Sequence, residues 1–368
     1  MSTASACIDD ATVALAYSVT RAPAAADGAP APLVVLVHGM TSAGLTFANV
    51  TDAIARLAGV NVVAVDLRGH GASPDAPALA GGYRLRAMAA DIVALLAALA
   101  ADASLHAAGR RVHLLGHSWG SRVVATLAVH WPALVASVFV EDEYLVPVGP
   151  RAAEVDGAAL PTLGPFELPA DADDAAVGVA GVKKAAAGSA PAFEEWTEAA
   201  MDVEAAKMAA LYQPHFPTYD DAIAFYNATT GPGVCDFSRK ILERDVEVPA
   251  KAGDGATTTE KGFVVLFKPH VAHAWDFHCR ASADAQRLWL DVRRFPFPVH
   301  VQKGGDDATS DVSPAMWARI EAEAAALAAA GGRRSVSIIP GAAHTVHRAC
   351  PEAFTADLVA FLRATSSA

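Results

Sequence analysis

Ser118 stands between Gly116 and Gly120 in "LLGHSWGS", where an apolar run ends and helix-like sequence begins. A G-x-S-x-G spacing at a strand-to-helix junction raises a hydroxyl on a tight turn, and small flanking residues let that turn close. A serine hydroxyl is a poor nucleophile until a base takes its proton, so a histidine must come within about 2.6–3.2 Å. Of the 13 histidines, His344 is the best placed: "SIIPGAAHTVH" sets it in a glycine-containing loop directly after the last strand-like run. His347 lies further along and reads as a packing or capping residue. His117 neighbours Ser118, but adjacency in a tight turn sends its side chain elsewhere.

The imidazole needs a carboxylate on its other nitrogen. "VQKGGDDATSDVSP" leaves a strand for a glycine turn carrying Asp306 and Asp307. Asp307 is the expected acid, with Asp306 and Asp311 as close alternatives. A separate trio, Glu141, Asp142 and Glu143, ends the strand after the serine helix, so Glu141 or Asp142 could replace Asp307; its plainer reading is a solvated strand end. Charge developing on an attacked carbonyl oxygen needs backbone donors. Trp119, at the start of the helix, and Met40, in the turn after "LVVLVHG", are placed to supply them. His38 reads as a brace for that loop.

Positioning these groups requires strand ends. Residues 33–37, 60–66, 111–115, 134–140, 298–302 and 335–339 are short β-branched runs of the kind buried on both faces of a parallel sheet. Helix-like segments at 47–57, 85–99, 118–130, 314–330 and 352–363 alternate with them, which predicts an α/β layered fold. Residues 12–20 suit an antiparallel edge strand. From about residue 147 the rhythm lapses into Gly, Pro and acidic residues. Helices are expected there over 192–212 and from Thr218, where Thr218 and Asp221 form a capping-box start. The chain therefore divides into a first core part (1–146), a mainly helical cap insertion (147–261) and a second core part (262–368). Residues 262–268 could be a strand of the insertion or its return path.

Hydrophobic residues make up 53% of the 368 and charged residues 18%, so a large core can form. Mean hydropathy is +0.29, but much of it is alanine, and no run reaches the roughly 20 apolar residues of a membrane span. A net charge of −12 repels phosphate backbones, which argues against nucleic acid as a partner. Residues 1–20 lack a signal-peptide pattern, and Cys7, Cys235, Cys279 and Cys350 have no CxxC spacing; free thiols in a cytoplasmic protein are expected. His270, His273, His278 and Cys279 are of metal-ligating types, but structural zinc uses paired ligands at repeating spacing, so no metal is expected. Aromatic residues of the insertion, among them Phe216 and Tyr219, read as ordinary core or as the lining of an apolar pocket. Oligomeric state has no sequence signal.

Together, "LVHGMTSAG", "VVAVDLRGHGAS", "LLGHSWGS", "GGDD" and "GAAHTVHRACPEAF" resemble the α/β-hydrolase superfamily. In that family the serine follows the fifth strand, the acid the seventh and the histidine the eighth. The resemblance therefore implies a catalytic set of Ser118, Asp307 and His344 but is poorly specific for the substrate. Chemistry through that set requires no cofactor, and the expected partner is a small molecule, an apolar acyl compound. It also implies that Arg68 and His70 hold loops together rather than react. Ser121 stands where the family often has a second glycine. "GHSWGS" is similar to proline iminopeptidases, but their HGGPG-like loop is absent, since His38-Gly39-Met40-Thr41 stands there. Haloalkane dehalogenases and epoxide hydrolases use aspartate at the nucleophile position. The expected activity is cleavage of a carboxylic ester or related acyl compound. A carbon–carbon bond hydrolase, an amidase or peptidase, and a ligand-binding receptor or scaffold with little turnover are the alternatives.

Overall fold

The computed structural model describes residues 12–24, 30–40, 42–75, 83–143, 215–230, 243–249, 257–264, 295–307, 314–329 and 333–366. Ten strands are found among them, β1 (Tyr17–Thr20), β2 (Leu33–Val37), β3 (Asn61–Val65), β4 (Val112–His117), β5 (Val135–Glu141), β6 (His215–Phe216), β7 (Glu243–Pro249), β8 (Thr257–Val264), β9 (Val299–Gly304) and β10 (Arg334–Ile339). The main helices are α1 (Thr51–Ala58), α2 (Leu85–Leu99), α3 (Trp119–His130), α4 (Tyr219–Thr230), α5 (Pro314–Ala329), α6 (Val346–Ala349) and α7 (Pro351–Ser366).

Seven strands form one sheet in the order β1-β3-β2-β4-β5-β9-β10. All its pairs are parallel except β1–β3, the antiparallel edge. The central strands are buried at every position, as the continuous apolar runs require. Their side chains still alternate between faces. Val35, Val37, Val63, Val65, Leu114, Val138 and Val140 join α2 and α3 in one core, while Val34, Leu36, Val62, Ala64, Leu115 and Phe139 join α1 and α7 in a second. A one-residue slip in register would exchange the two sets, so both cores specify the pairing.

The described part of the insertion is less helical than the sequence suggests. Helix α4 starts as expected: Thr218 Oγ1 accepts from the Asp221 N–H at 3.2 Å and donates to Asp221 Oδ2 at 2.6 Å. However, β6, β8 and β7 make a separate three-stranded antiparallel sheet that the sequence reading did not foresee. Residues 262–264 close β8, and Phe216 pairs with Phe263 while Tyr219 packs on it. These aromatics are therefore core of the small sheet. The expected helix at 192–212, and His270, His273, His278, Cys279 and Asp311, lie outside the described residues, as do Cys7 and Cys235. Cys350 is a free thiol. Among the described residues no helix is long and apolar enough to cross a membrane.

Candidate active site

Strand β4 runs into α3 through Ser118, whose φ of +49° and ψ of −123° put its backbone where L-residues are strained. Close packing enforces the turn. A methyl group at Gly116 would overlap the backbone of Ser121, and one at Gly120 would overlap the carbonyl of Val37 on β2. Only glycine lets α3 start this close to the sheet. Ser121, the departure from the family pattern, is fully buried, and its hydroxyl donates to the Gly116 carbonyl at 2.5 Å. The Ser118 N–H donates to the Glu141 carbonyl at 2.9 Å, tying the turn to the end of β5.

His344 reaches this turn from the loop after β10, with its Nε2 2.9 Å from Ser118 Oγ. Its Nδ1 lies 2.8 Å from Asp142 Oδ2. A hydroxyl, an imidazole and a carboxylate are thus joined in series, an arrangement that can draw a proton from the hydroxyl and support the resulting imidazolium.

The carboxylate in that series is Asp142, and this corrects the expectation of Asp307. The end of β5 is hydrogen-bonded both to the serine turn and, through the Asp142 N–H and the Gln302 carbonyl at 2.8 Å, to β9. Asp142 has a φ of +49°, and among the described non-glycine residues it shares a positive φ only with Ser118. That twist turns its side chain toward His344, where Oδ1 accepts from the Gly304 N–H at 2.9 Å and Oδ2 faces the ring. Asp307 remains close: one of its oxygens, one of Asp142 and a ring nitrogen of His344 lie within 4.8 Å of one another. With both His344 nitrogens already engaged, these atoms read as charges around a base rather than as a cation site. Asp306 is exposed.

The acidic trio is not a solvated strand end. Glu141 and Asp142 are buried, and Glu143 pairs with Arg122 at 3.0 Å. Glu141 turns to the opposite side from Asp142 and accepts from the His347 N–H and Nδ1–H, both at 2.8 Å. Thr46 Oγ1 then donates to His347 Nε2 at 3.0 Å. His347 therefore does pack, inside a buried Glu–His–Thr array, and burial pushes its pKa well below 6.5. His117 is buried as well. Its Nε2–H donates to the His344 carbonyl at 3.1 Å, and burial pushes its pKa down to about 3. It holds the loop of the base as a neutral donor, a role for which the sequence carried no signal.

Burial alone would lower the pKa of His344. The hydrogen bond and charge of Asp142 outweigh it, with the charges of Asp307 and Glu143 adding to them, so the value rises above 6.5. Burial raises Asp142, and the His344 partner draws it partly back. Trp119 is the first residue of α3, where an N–H has no acceptor within the helix. His38 accepts from the Leu67 N–H at 3.0 Å and donates to the Gly39 carbonyl at 2.6 Å. His70 bonds the Met40 carbonyl, and Arg68 grips Asp91 through two bonds of 2.6 Å.

The profile of the alpha/beta hydrolase fold family matches residues 32–160. Epoxide hydrolase B of Mycobacterium tuberculosis is 34% identical over 122 residues, 32% of this chain and 32% of that protein. The sn-1-specific diacylglycerol lipase ABHD11 of Mus musculus is 29% identical over 138 residues, 38% of this chain and 40% of that protein. The chain thus matches well under half the length of either relative. A thermophilic esterase of Thermogutta terrifontis superposes with a TM-score of 0.53 over 96% of this chain and 94% of that one, at 18% identity. Sheet order, the serine turn between β4 and α3, and these likenesses define the class by its architecture: the chain has the α/β-hydrolase fold, and its residues 32–160 match that family's model.

Proposed function

We propose that this chain is a serine hydrolase that cleaves a carboxylic ester or related acyl compound through an acyl-enzyme. The observation that carries the reading is the pair of bonds on His344, 2.9 Å to Ser118 Oγ and 2.8 Å to Asp142 Oδ2. His344 Nε2 takes the Ser118 proton as Oγ adds to the carbonyl carbon. The Trp119 and Met40 N–H groups hold the oxyanion, and Asp142 supports the charged ring through Nδ1. The imidazolium returns its proton to the leaving alkoxide, and a water activated by the same ring then releases the acid. No cofactor or metal enters these steps.

The relative named for epoxide hydrolysis does not draw this chain to that chemistry. Opening an epoxide by displacement calls for a carboxylate at the nucleophile position, and position 118 is a serine. A hydroxyl with a base suits addition to a carbonyl, which agrees better with the relative named as a diacylglycerol lipase. An assembled hydroxyl–imidazole–carboxylate set also favours an enzyme over a binding scaffold of the same fold.

A fluorophosphonate probe tests the reading directly. Incubation of the whole chain is expected to add one probe mass to the peptide containing Ser118, and the S118A variant is expected to take up none. Labelling at another residue, or none in the wild type, would refute it. Panels of ester, amide and diketone substrates then identify the bond cleaved.

The base must be neutral to accept a proton, and the pKa of His344 lies above 6.5. The rate of ester cleavage is therefore expected to fall as pH drops, with its half-maximal point above pH 6.5 rather than at the value of an unperturbed imidazole. A profile that stays flat down to about pH 5 would exclude His344 as the base.

A further inference from the structure

A second hydroxyl–imidazole–carboxylate series lies beneath the first, wholly inside the protein. Thr46 Oγ1 donates to His347 Nε2 at 3.0 Å, and His347 Nδ1–H donates to Glu141 Oε1 at 2.8 Å. The side chains of His347 and Glu141 are 0% exposed, so no substrate reaches them. Glu141 is nevertheless tied to each part of the site above. Its carbonyl accepts from the Ser118 N–H at 2.9 Å, and the next residue in the chain is Asp142. Its carboxylate accepts from the backbone N–H groups of Val346 and His347, where α6 begins just past His344. A helix start leaves such N–H groups without acceptors of its own. His117 holds the His344 carbonyl on the other side of the same loop, and Asn49 holds the His347 carbonyl at 2.9 Å. Only a carboxylate suits this position. It meets two backbone N–H groups and the His347 Nδ1–H, and an ionised carboxylate is acceptor-only. An amide in its place would turn an NH2 group toward one of those donors.

We propose that Glu141 is a positioning residue for His344: its carboxylate fixes the chain leaving the base, and its charge supports the imidazolium formed when Ser118 gives up a proton. The kinetic consequences rest on the serine-hydrolase reading; the electrostatic ones do not. The groups facing His344 are Asp142 and Glu143 after β5, Asp307 after β9, His117 of β4 and Glu141 of β5. His347 of α6 lies on the same side as Glu141, with Arg348 next to it. His117 sits between the two imidazoles, 5.0 Å from the His344 ring and 5.2 Å from that of His347. Both His117 and His347 are held neutral by burial, so neither opposes a charge on His344. Burial raises the Glu141 pKa, while His117, the N–H groups of His347 and Val346, and His344 draw it partly back. The attraction between Glu141 and His344 is mutual, so a carboxylate that gains from the charged ring also stabilises that ring.

The decisive measurement is the His344 imidazole titration followed by nuclear magnetic resonance on the full chain, its signal assigned by loss in H344Q. E141Q is expected to lower the His344 pKa by about half a pH unit or more, because the amide carries no charge. T46V breaks the same buried array but keeps the charge, so it is expected not to move the titration. This arm needs no turnover. In the kinetic arm, E141Q is expected to lower kcat for an activated ester by about 10- to 100-fold, with KM changed less than about twofold. Should E141Q not fold, E141D carries the test. It keeps the charge but shortens the reach, so kcat is expected to fall about tenfold while the titration stays in place. An unmoved titration in E141Q, an equal shift in T46V, or a wild-type kcat in E141D would overturn the proposal. Absence of fluorophosphonate labelling in the wild type would instead refute the hydrolase reading and leave the titration result standing.

Discussion

The S118A variant, the H344Q variant and the S118A/H344Q double variant are each expected to lose hydrolysis of an activated ester by about a hundred-thousand-fold to a million-fold, with the double no worse than either single. The reason is that the two groups act as one. Ser118 Oγ is nucleophilic only while His344 Nε2, 2.9 Å away, accepts its proton, so removing either removes the same step. On the proposed mechanism, what survives comes from the backbone donors of Trp119 and Met40, which neither substitution touches. Single-turnover kinetics of the three variants check this. Losses that multiply in the double variant would mean that the two residues serve separate steps, and the serial arrangement would not be the catalytic unit.

Replacing Arg68 with methionine is expected to cost about 3–5 kcal/mol of folding stability, read from denaturant unfolding. Arg68 and Asp91 are buried together, with side-chain exposures of 1% and 0%. Asp91 also accepts from the Val13 N–H at 2.8 Å, so it joins α2 to the segment before β1. Without the guanidinium, an uncompensated carboxylate remains in the core. Burial already raises the Asp91 pKa, and Arg68 is the main influence lowering it again, so the variant raises it further. A folded-state pKa above the unfolded value means that the folded protein binds the extra proton. Stability then falls as pH rises between the two values. The deficit of the variant should accordingly be larger at pH 8 than at pH 5. The R68M/D91L double variant should recover much of the loss, because a well-packed apolar pair carries no desolvation penalty. A deficit independent of pH would show that packing of the long arginine side chain, not its charge, matters at this position.

Strand composition made the large sheet legible in the sequence. Continuous runs such as Leu33–Val37 suit only strands covered on both faces, and they occur where such strands form. The small sheet escaped because β7, "ERDVEVP", and much of β8, "TTTEKGFV", are polar and charged, without the apolar density that marks a buried strand. Ser118 and His344 were also legible: the glycine spacing and the loop after the last strand are local signals.

The acid was not legible, because both carboxylate clusters end a strand and both satisfy the chain order serine, acid, histidine. What separates them is the sheet order β4-β5-β9, which sets the end of β5 directly beside the serine strand. The positive φ at Asp142 then sends neighbouring side chains to opposite sides, Glu141 to His347 and Asp142 to His344. The sequence by itself determined the α/β architecture, the strained serine turn and the histidine that meets it, since each follows from local pattern and spacing. The choice of Asp142 over Asp307, the buried Glu141–His347 array beneath the site and the brace from His117 depended on the tertiary structure. Those contacts link residues from separate strands, and only the order and register of the sheet bring them within hydrogen-bonding distance.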